Sequence, residues 1–501
     1  MRIILTALWL SAAVPGGSSI INVPAGADLQ DAIDRAVPGD VILLARGATY
    51  TGPFTLPAKP GDRFITIRTS GLTWPGTTRV DPSRARDFAK LQPSSAGAAL
   101  RTAPGAHHWR VQMLEFLPAP NGNGDIVQLG DGSNAQRDRA SIPHDLVIDH
   151  CYLHGDPIKG QKRGIALNSA ATTISASYIS DIKAIGQDSQ GIGGWNGPGP
   201  YTIENNYIEA AGENILFGGS DPAVAGLVSE DITIRRNHLA KPEAWRDQRW
   251  QVKNLFELKN ARRVLVESNL IENNWLDAQV GYAIVLTPRN QDGACTWCTV
   301  EDVTMRGNLV RRSGGAISIL GTDNPHPSGT ARRFRIEDNL FVEIDGQKWR
   351  GSGAFLLIGD GPSDVVIQHN TVWQTGNVIE AYGGTKNRPV GIPGFTFKDN
   401  LIFNNEFGVH GADRAPGMDS LNAYFPAAVF TSNAIAGGDC RLYPGGNRCL
   451  DRASFASQFA APDRGDYRLT ASSSFRAAAS DGTDLGANVA RLYLILGLRL
   501  P

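Results

Sequence analysis

One short pattern, apolar-x-x-Asn-x-apolar, recurs along most of this 501-residue chain. Two further copies lie upstream and carry Cys151 or Ser177 in place of the asparagine, in IDHCYL and ISASYI. Successive copies are mostly about 30 residues apart, and a fixed period of this length is typical of solenoids. The asparagines of the pattern are Asn206, Asn237, Asn269, Asn308, Asn339, Asn370, Asn400 and Asn433.

Each repeat contains three short β-like runs, which together are too small to bury an apolar face alone. If each repeat is one coil of a parallel solenoid, equivalent strands stack about 4.8 Å apart and their inward residues form a continuous core. The asparagine then occupies the same turn in every coil, where stacked amides can bond to one another and to the turn backbone. The pattern therefore predicts a structural ladder, in which Cys151 is a buried, unpaired thiol.

Composition narrows the range of partners. The 48 basic and 49 acidic residues form no long run of either sign, which argues against a nucleic-acid or membrane-surface contact. After the N-terminus, no segment is long enough to predict a transmembrane helix. We expect a monomer.

The N-terminus and the cysteines point to export. Met1 and Arg2 precede IILTALWLSAAV, which fits a signal peptide over residues 1–19 and a secreted or periplasmic protein; a buried first strand or helix is the alternative. Cys440 and Cys449 flank a short Gly/Pro loop, which predicts a disulfide. Cys295 and Cys298 form a single C-x-x-C with no second motif to complete a zinc site, so a local disulfide is the better prediction.

The repeat resembles the asparagine ladder of the pectin-lyase-like superfamily. That resemblance implies an all-β chain, a single-stranded right-handed parallel β-helix of about ten or more coils. The opening DLQDAIDRAVPGDVILLARGATYTG resembles the N-terminal capping helix and first strand of that superfamily (20–60), with Leu29, Ala32, Ile33 and Ala36 on one face. We expect the β-helix over 61–435 and a C-terminal cap over 436–501, whose last residues, RLYLILGLRL, pack across the end of the stack.

In enzymes of this superfamily the substrate lies on the strand that precedes the ladder strand. By position, that strand is GIALN, NILFGG, NLFELKN, YAIVLTPRN, AISILG, AFLLIG and VIEAYGG in successive coils, and the longest insertions flank it. With Phe256 and Leu258 facing inward, alternation predicts four outward residues within NLFELKN and directly before it. These are Lys253, Leu255, Glu257 and Lys259, with Arg289 at the same end of the next strand.

A lysine and an arginine on neighbouring coils suit β-elimination from a uronic acid polymer, and the arrangement is similar to that of β-helix polysaccharide lyases. A neutral lysine is needed as the base; Glu257 would favour its charged form, whereas Lys253 and Arg289 would oppose it. Those lyases place calcium-binding carboxylates just upstream of the lysine. Here these positions hold Val252 and Asn254, so Asp221 and Glu257 are the candidate ligands if calcium binds.

The predicted catalytic residues are therefore Lys259, Arg289 and Glu257. The alternative is an exposed ion-pair ladder of little energetic value. Aspartates that follow glycines are common in turns for backbone reasons, the histidines can be incidental loop residues, and the tryptophans can either stack on sugars or cover the apolar rim. The residues predicted to bind substrate are Lys253, Trp245, Trp250, Asp323, His326, Asp360, Glu380 and Tyr382.

Two other functions remain open. A β-helix glycoside hydrolase would use paired carboxylates, and two coils place such a pair roughly 9.6 Å apart, near the upper end of the inverting range. The chain lacks the N-T-D, D-D, G-H-G and R-I-K motifs of polygalacturonase-like proteins. A non-catalytic glycan-binding or surface protein is the third class, although long loops gathered beside one strand favour a site.

Overall fold

The computed structural model describes residues 18–95 and 97–499, and most of the predicted signal peptide lies outside them. Three long parallel sheets run the length of this region, with 12, 14 and 14 strands, and each coil contributes one strand to each sheet in the order sheet 1, sheet 2, sheet 3. This confirms the predicted solenoid. None of the helices in the described residues is long and apolar enough to cross a membrane.

Sheet 1 contains Phe54–Leu56, Leu100–Thr102, Asp125–Leu129, Arg163–Leu167, Gln190–Gly194, Glu213–Phe217, Asn254–Leu258, Tyr282–Leu286, Gly315–Leu320, Leu356–Gly359, Ile379–Tyr382 and Val409–Gly411. Sheet 2 contains Ile20–Val23, Val41–Leu44, Ile65–Thr69, His107–Gln112, His144–Asp149, Ala170–Ser175, Gly199–Glu204, Ser229–Arg235, Ala261–Glu267, Val300–Arg306, Arg332–Glu337, Ser363–Gln368, Thr396–Lys398 and Val429–Thr431. Sheet 3 contains Thr49–Thr51, Ala89–Gln92, Leu114–Phe116, Tyr152–His154, Tyr178–Ile182, Tyr207–Ala210, His238–Ala240, Leu270–Asn274, Leu309–Ser313, Leu340–Ile344, Thr371–Gln374, Leu401–Phe403, Ala434–Ala436 and Arg448–Leu450.

Short helices and two hairpins lie between the strands of the coils or follow the last coil. The α-helices are Leu29–Arg35, Met418–Tyr424, Arg452–Ala456 and Val489–Ile495, and the 3₁₀ helices are Pro82–Asp87, Arg139–Ser141, Glu243–Asp247, Cys440–Leu442 and Pro462–Arg464. Two hairpins pair Gly384–Thr385 with Arg388–Pro389 and Phe459–Ala461 with Asp466–Leu469.

The asparagine ladder runs between sheets 2 and 3. In each rung the side-chain amide donates to the next asparagine, as from Asn269 to Asn308 at 3.0 Å and from Asn308 to Asn339 at 2.9 Å. The residue before each rung turns the chain in the left-handed region, as Ser268 does at φ 56°. One further rung, Asn447, follows Asn433 by only 14 residues and accepts its amide at 2.9 Å.

Both disulfides are present, Cys295 with Cys298 and Cys440 with Cys449. Cys151 is a free, buried thiol in the ladder turn, as expected, and burial raises its pKa to about 12.

The N-terminal cap is as expected, because Leu29, Ala32, Ile33 and Ala36 are buried in the main core. The expectation for the last residues is wrong. Leu492 and Tyr493 of the helix Val489–Ile495 pack against the outer face of sheet 3, in a cluster that extends from Leu270 to Ala436, and do not cross the end of the stack. The tail lies along this face because sheet 3 carries outward apolar residues in successive coils.

Candidate functional site

Sheet 1 contains the strands that the repeat placed in the groove. Phe256 and Leu258 face the core, but so does Leu255, which alternation placed outside. Alternation fails there because two consecutive residues face inward where the chain enters the strand, and the next coil repeats this with Ala283 and Ile284. Glu257 remains outward, paired in register with Leu216 and Val285 on the neighbouring strands.

Glu257 and Lys259 form a close pair under the groove surface. Lys259 Nζ lies 3.3 Å from Glu257 Oε1, and Asn254 Nδ2 donates to Glu257 Oε2 at 3.1 Å. Glu257 is 1% exposed and the Lys259 side chain 12% exposed. The alternative of an exposed ion-pair ladder is therefore wrong, because these charges are largely removed from water and interact more strongly than surface pairs do.

A second carboxylate, Glu213, lies on the preceding strand, where it is paired in register with Asn254. It is fully buried, accepts from Gln190 Nε2 at 2.9 Å, and lies 3.5 Å from Lys253 Nζ, which also pairs with Asp188. Burial raises the pKa of Glu213 to about 7, and the negative charges of Glu257 and Asp188 add to this effect. Sequence reasoning missed Glu213, because the long insertion between Glu213 and Asn254 hides their register.

Lys241 supports this cluster from inside the solenoid. Its Nζ is fully buried and lies within hydrogen-bond distance of four oxygens, the carbonyl oxygens of Ala210 at 2.8 Å, Gly212 at 2.9 Å and Asn254 at 2.9 Å, and Asn214 Oδ1 at 3.1 Å, which share its three N–H groups. Burial lowers the pKa of Lys241 to about 7, and the charge of Glu213 opposes that shift. Lys241 therefore ties together the segments that position Glu213 and Asn254.

Arg289 lies beside Lys259, as the repeat predicted. Its backbone N–H donates to the Lys259 carbonyl oxygen at 3.0 Å, and its guanidinium pairs with the buried carboxylate of Asp323. Asp323 also accepts from the backbone N–H of Asn290 at 2.9 Å, and His326 Nδ1 lies 2.9 Å from the Asn290 carbonyl oxygen. Asp323 and His326 therefore hold the Arg289 loop in place, whereas they were predicted to bind substrate.

Asp221, the first candidate calcium ligand, also anchors this loop. Its Oδ2 accepts from the backbone N–H groups of Asp292 at 3.1 Å and Ala294 at 2.9 Å, which anchors the disulfide-closed loop after Arg289. Within 18–95 and 97–499, no three His, Cys, Asp or Glu residues are grouped to hold a metal ion. The second calcium candidate, Glu257, is paired with Lys259 and Asn254. These residues do not fit the calcium site that the resemblance implied.

Asp360, Glu380 and Tyr382 lie farther along sheet 1. Glu380 accepts from Asn377 Nδ2 at 3.1 Å and from the Tyr282 hydroxyl at 3.4 Å. Burial raises the pKa of Asp360 and of Tyr382. Glu380 shares the outward row of Glu257 but is four strands away, about 19 Å at the strand spacing, so it belongs to a separate part of the groove.

Trp245 and Trp250 do not face the groove. They are 4% and 5% exposed and pack with Trp275 and Trp349, and Lys183 Nζ lies 5.0 Å from the ring centres of both. Their prediction as sugar-stacking residues is therefore wrong, because neither ring offers a free face. Exposure of these rings depends on how the 241–253 loop packs, which no local pattern reveals.

Comparison with known proteins identifies the fold. Neither a protein-family model nor a curated protein matches the sequence. A mannuronic acid specific polysaccharide family 6 lyase from human gut microbiota is similar in structure, with a TM-score of 0.51, 12% identity, and coverage of 86% of this chain and 91% of that one. The A-module of a mannuronan C-5 epimerase from Azotobacter vinelandii is also similar, with a TM-score of 0.43, 11% identity and coverage of 80% and 93%.

A GH87 α-1,3-glucanase from Streptomyces thermodiastaticus is similar too, with a TM-score of 0.44, 14% identity and coverage of 89% and 72%. The three parallel sheets, together with the similarity to the family 6 lyase, show that the protein has a right-handed parallel β-helix fold. At these identities the similarity establishes the fold alone.

Proposed function

We propose that this protein is an exported polysaccharide lyase that cleaves a uronate-containing glycan by β-elimination on sheet 1. The observation that carries the proposal is the juxtaposition of Lys259 and Arg289 just beyond the ends of adjacent strands, each with its own buried carboxylate partner. The family 6 lyase named above acts on mannuronic acid polymers, which is consistent with this reaction class. Two disulfides are consistent with an oxidising compartment.

The chemistry assigns a separate role to each partner. Neutral Lys259 takes the proton from the carbon beside the uronate carboxylate, and that electron pair forms the ring double bond as the glycosidic C–O bond breaks. Arg289 neutralises the carboxylate on which negative charge develops, and the departing oxygen takes a proton from water. Glu257, 3.3 Å from Lys259 Nζ, stabilises the ammonium that forms, so its interaction is stronger after proton transfer than before.

The test is to incubate the protein with pectate, alginate, glycosaminoglycans and neutral glycans while following unsaturated-product absorbance and reducing ends separately. We expect both signals on one uronate polymer, and their loss in Lys259→Ala and Arg289→Ala. Lys348→Ala is the matched control, because Lys348 forms an exposed pair with Glu343 at 3.1 Å on the sheet 3 side. If both site variants retain activity, the assignment of Lys259 and Arg289 is wrong.

Hydrolysis is the second candidate, favoured by one observation. Asp360 is partly exposed on sheet 1 and burial raises its pKa, a property of general acids. Reducing ends without unsaturation, abolished by Asp360→Asn, would replace the lyase proposal with a hydrolase. Glycan binding with neither product would indicate the non-catalytic class.

A further inference from the structure

A cavity of about 270 Å³ lies at the N-terminal end of sheet 1, far from Lys259. Its lining includes Thr55, Arg101, Gln128, Asp131 and Gln136. The first three of these are outward residues of three adjacent sheet 1 strands, so the cavity is continuous with the groove face.

Arg101 is an exposed cation on this face without a carboxylate partner in the described part of the chain. Its Nε donates to Thr55 Oγ1 at 3.0 Å, and it forms no ion pair there. Asp131 lines the same cavity, but its Oδ1 accepts from the backbone N–H of Ser133 at 2.7 Å. Arg163 and Arg289 on the groove face differ from Arg101, since Arg163 pairs with Asp125 and Arg289 pairs with Asp323.

Strand register aligns Arg101 with the catalytic cluster. Glu257 belongs to a row of outward residues that are paired in register on successive strands of sheet 1. Followed toward the N-terminus, each step of this row leads to the paired residue on the next strand. Its members are Glu257, Leu216, Gly193, Ala166, Gln128, Arg101 and Thr55. Five steps separate Glu257 from Arg101, about 24 Å at the strand spacing.

The row between these ends has a low, closed surface. Gly193 has no side chain, and a Cβ there would lie 3.1 Å from Arg163 Nε, so the Arg163 side chain covers this position. Arg163 is fixed by Asp125 at 2.7 Å and Gln190 at 2.9 Å, and its guanidinium lies 4.7 Å from the Trp195 ring centre. The fixed Arg163 side chain therefore forms part of the surface over this row.

We propose that Arg101 forms a distal subsite that binds the carboxylate of a second uronate residue in the glycan chain held at Lys259. The inference rests on the proposed function for its ligand class. A guanidinium with free N–H groups matches a carboxylate in a two-point contact, and the partly enclosed cavity strengthens that contact. Since a 1,4-linked uronate residue advances an extended chain by roughly one strand spacing, the contact requires about five residues beyond the cleavage point.

The experiment measures binding by calorimetry with alginate and polygalacturonate oligomers of three and eight residues, in a Lys259→Ala background that prevents cleavage. We expect the octamer to bind more tightly than the trimer. Adding Arg101→Ala should weaken octamer binding about tenfold and leave trimer binding within twofold. Arg464→Ala is the matched control, an exposed arginine of the C-terminal segment near sheet 3.

A carboxyl-reduced octamer completes a double-mutant cycle. We expect reduction of the carboxyl groups to weaken octamer binding more in the protein that retains Arg101 than in the Arg101→Ala variant. Equal losses of affinity in the two proteins would overturn the carboxylate contact. An octamer affinity that is unchanged in Arg101→Ala would overturn it as well. Arg101→Gln, checked by its melting temperature, separates loss of the contact from misfolding. If the wild type forms no unsaturated products, the lyase proposal is refuted, while these binding differences can still be measured. If the wild type forms such products but octamer binding does not depend on Arg101, the distal subsite alone is refuted.

Discussion

Glu213 gives the sharpest test of the electrostatics in the cluster. Its pKa is raised from 4.5 to about 7 because the side chain is buried beside Glu257 and Asp188. A group whose folded-state pKa exceeds its unfolded value binds protons more tightly when folded, so its ionisation destabilises the fold as the pH rises. The difference between 4.5 and about 7 corresponds to a destabilisation of the fold by about 3 kcal/mol, which is absent below pH 4.5 and fully developed above pH 7.

Glu213→Gln removes the titration while keeping the side-chain size and an acceptor for Gln190. We expect the free energy of unfolding of the variant, minus that of the wild type, to increase by about 3 kcal/mol between pH 4.5 and pH 8. The attraction of ionised Glu213 for Lys253 is already contained in this pKa, so its loss in the variant adds no separate contribution.

The assay is urea unfolding followed by tryptophan fluorescence at several pH values, with thermal midpoints as a second measure. Glu343→Gln, at an exposed glutamate on sheet 3, is the control and should not show the increase of about 3 kcal/mol. A difference for Glu213→Gln that is constant, or that decreases as the pH rises, would refute the assignment of Glu213 as a buried, destabilised carboxylate.

Three further predictions concern the scaffold. Lys241→Met leaves four oxygens without their donor and should lower the free energy of unfolding by about 3–5 kcal/mol in urea titrations, whereas Lys348→Met should change it by less than about 0.5 kcal/mol. Asn308→Ala, in the middle of the ladder, should lower the free energy of unfolding by about 2–3 kcal/mol in the same titrations, and Asn447→Ala, at the end of the ladder, should lower it clearly less. Equal decreases for the two variants would contradict a cooperative ladder. Cys151 should resist maleimide in the folded protein and react after denaturation, as read by mass spectrometry; rapid labelling of the native protein would contradict its burial.

The repeat predicted the scaffold well because each coil repeats the same local chemistry. An asparagine at one turn, with apolar residues on both sides, specifies the rung wherever it occurs, and the strands of sheet 1 follow from it by position. Asn447 escaped this reasoning because its shortened coil reads PGGNRCL, without the usual apolar residue three positions earlier.

The site was only partly predictable, because its contacts cross between coils. Register placed Arg289 beside Lys259, and the structure agrees. Glu213 and Asn254 are paired although they are 41 positions apart in the numbering, and the length of that insertion hides their alignment. The burial of Trp245 and the orientation of Leu255 depend on how a long loop packs and on how the chain enters a strand, which alternation does not describe.

The C-terminal segment has a consequence for how this solenoid can change in length. Phe455, Phe475 and Leu492 rest on apolar residues from several coils of sheet 3, from Leu270 to Ala436. A free solenoid can gain or lose a coil with little penalty, because each coil contacts only its neighbours. Here, removal of one coil would shift every later contact between the C-terminal segment and sheet 3 by one strand spacing. The length of this segment therefore fixes the number of coils that it spans.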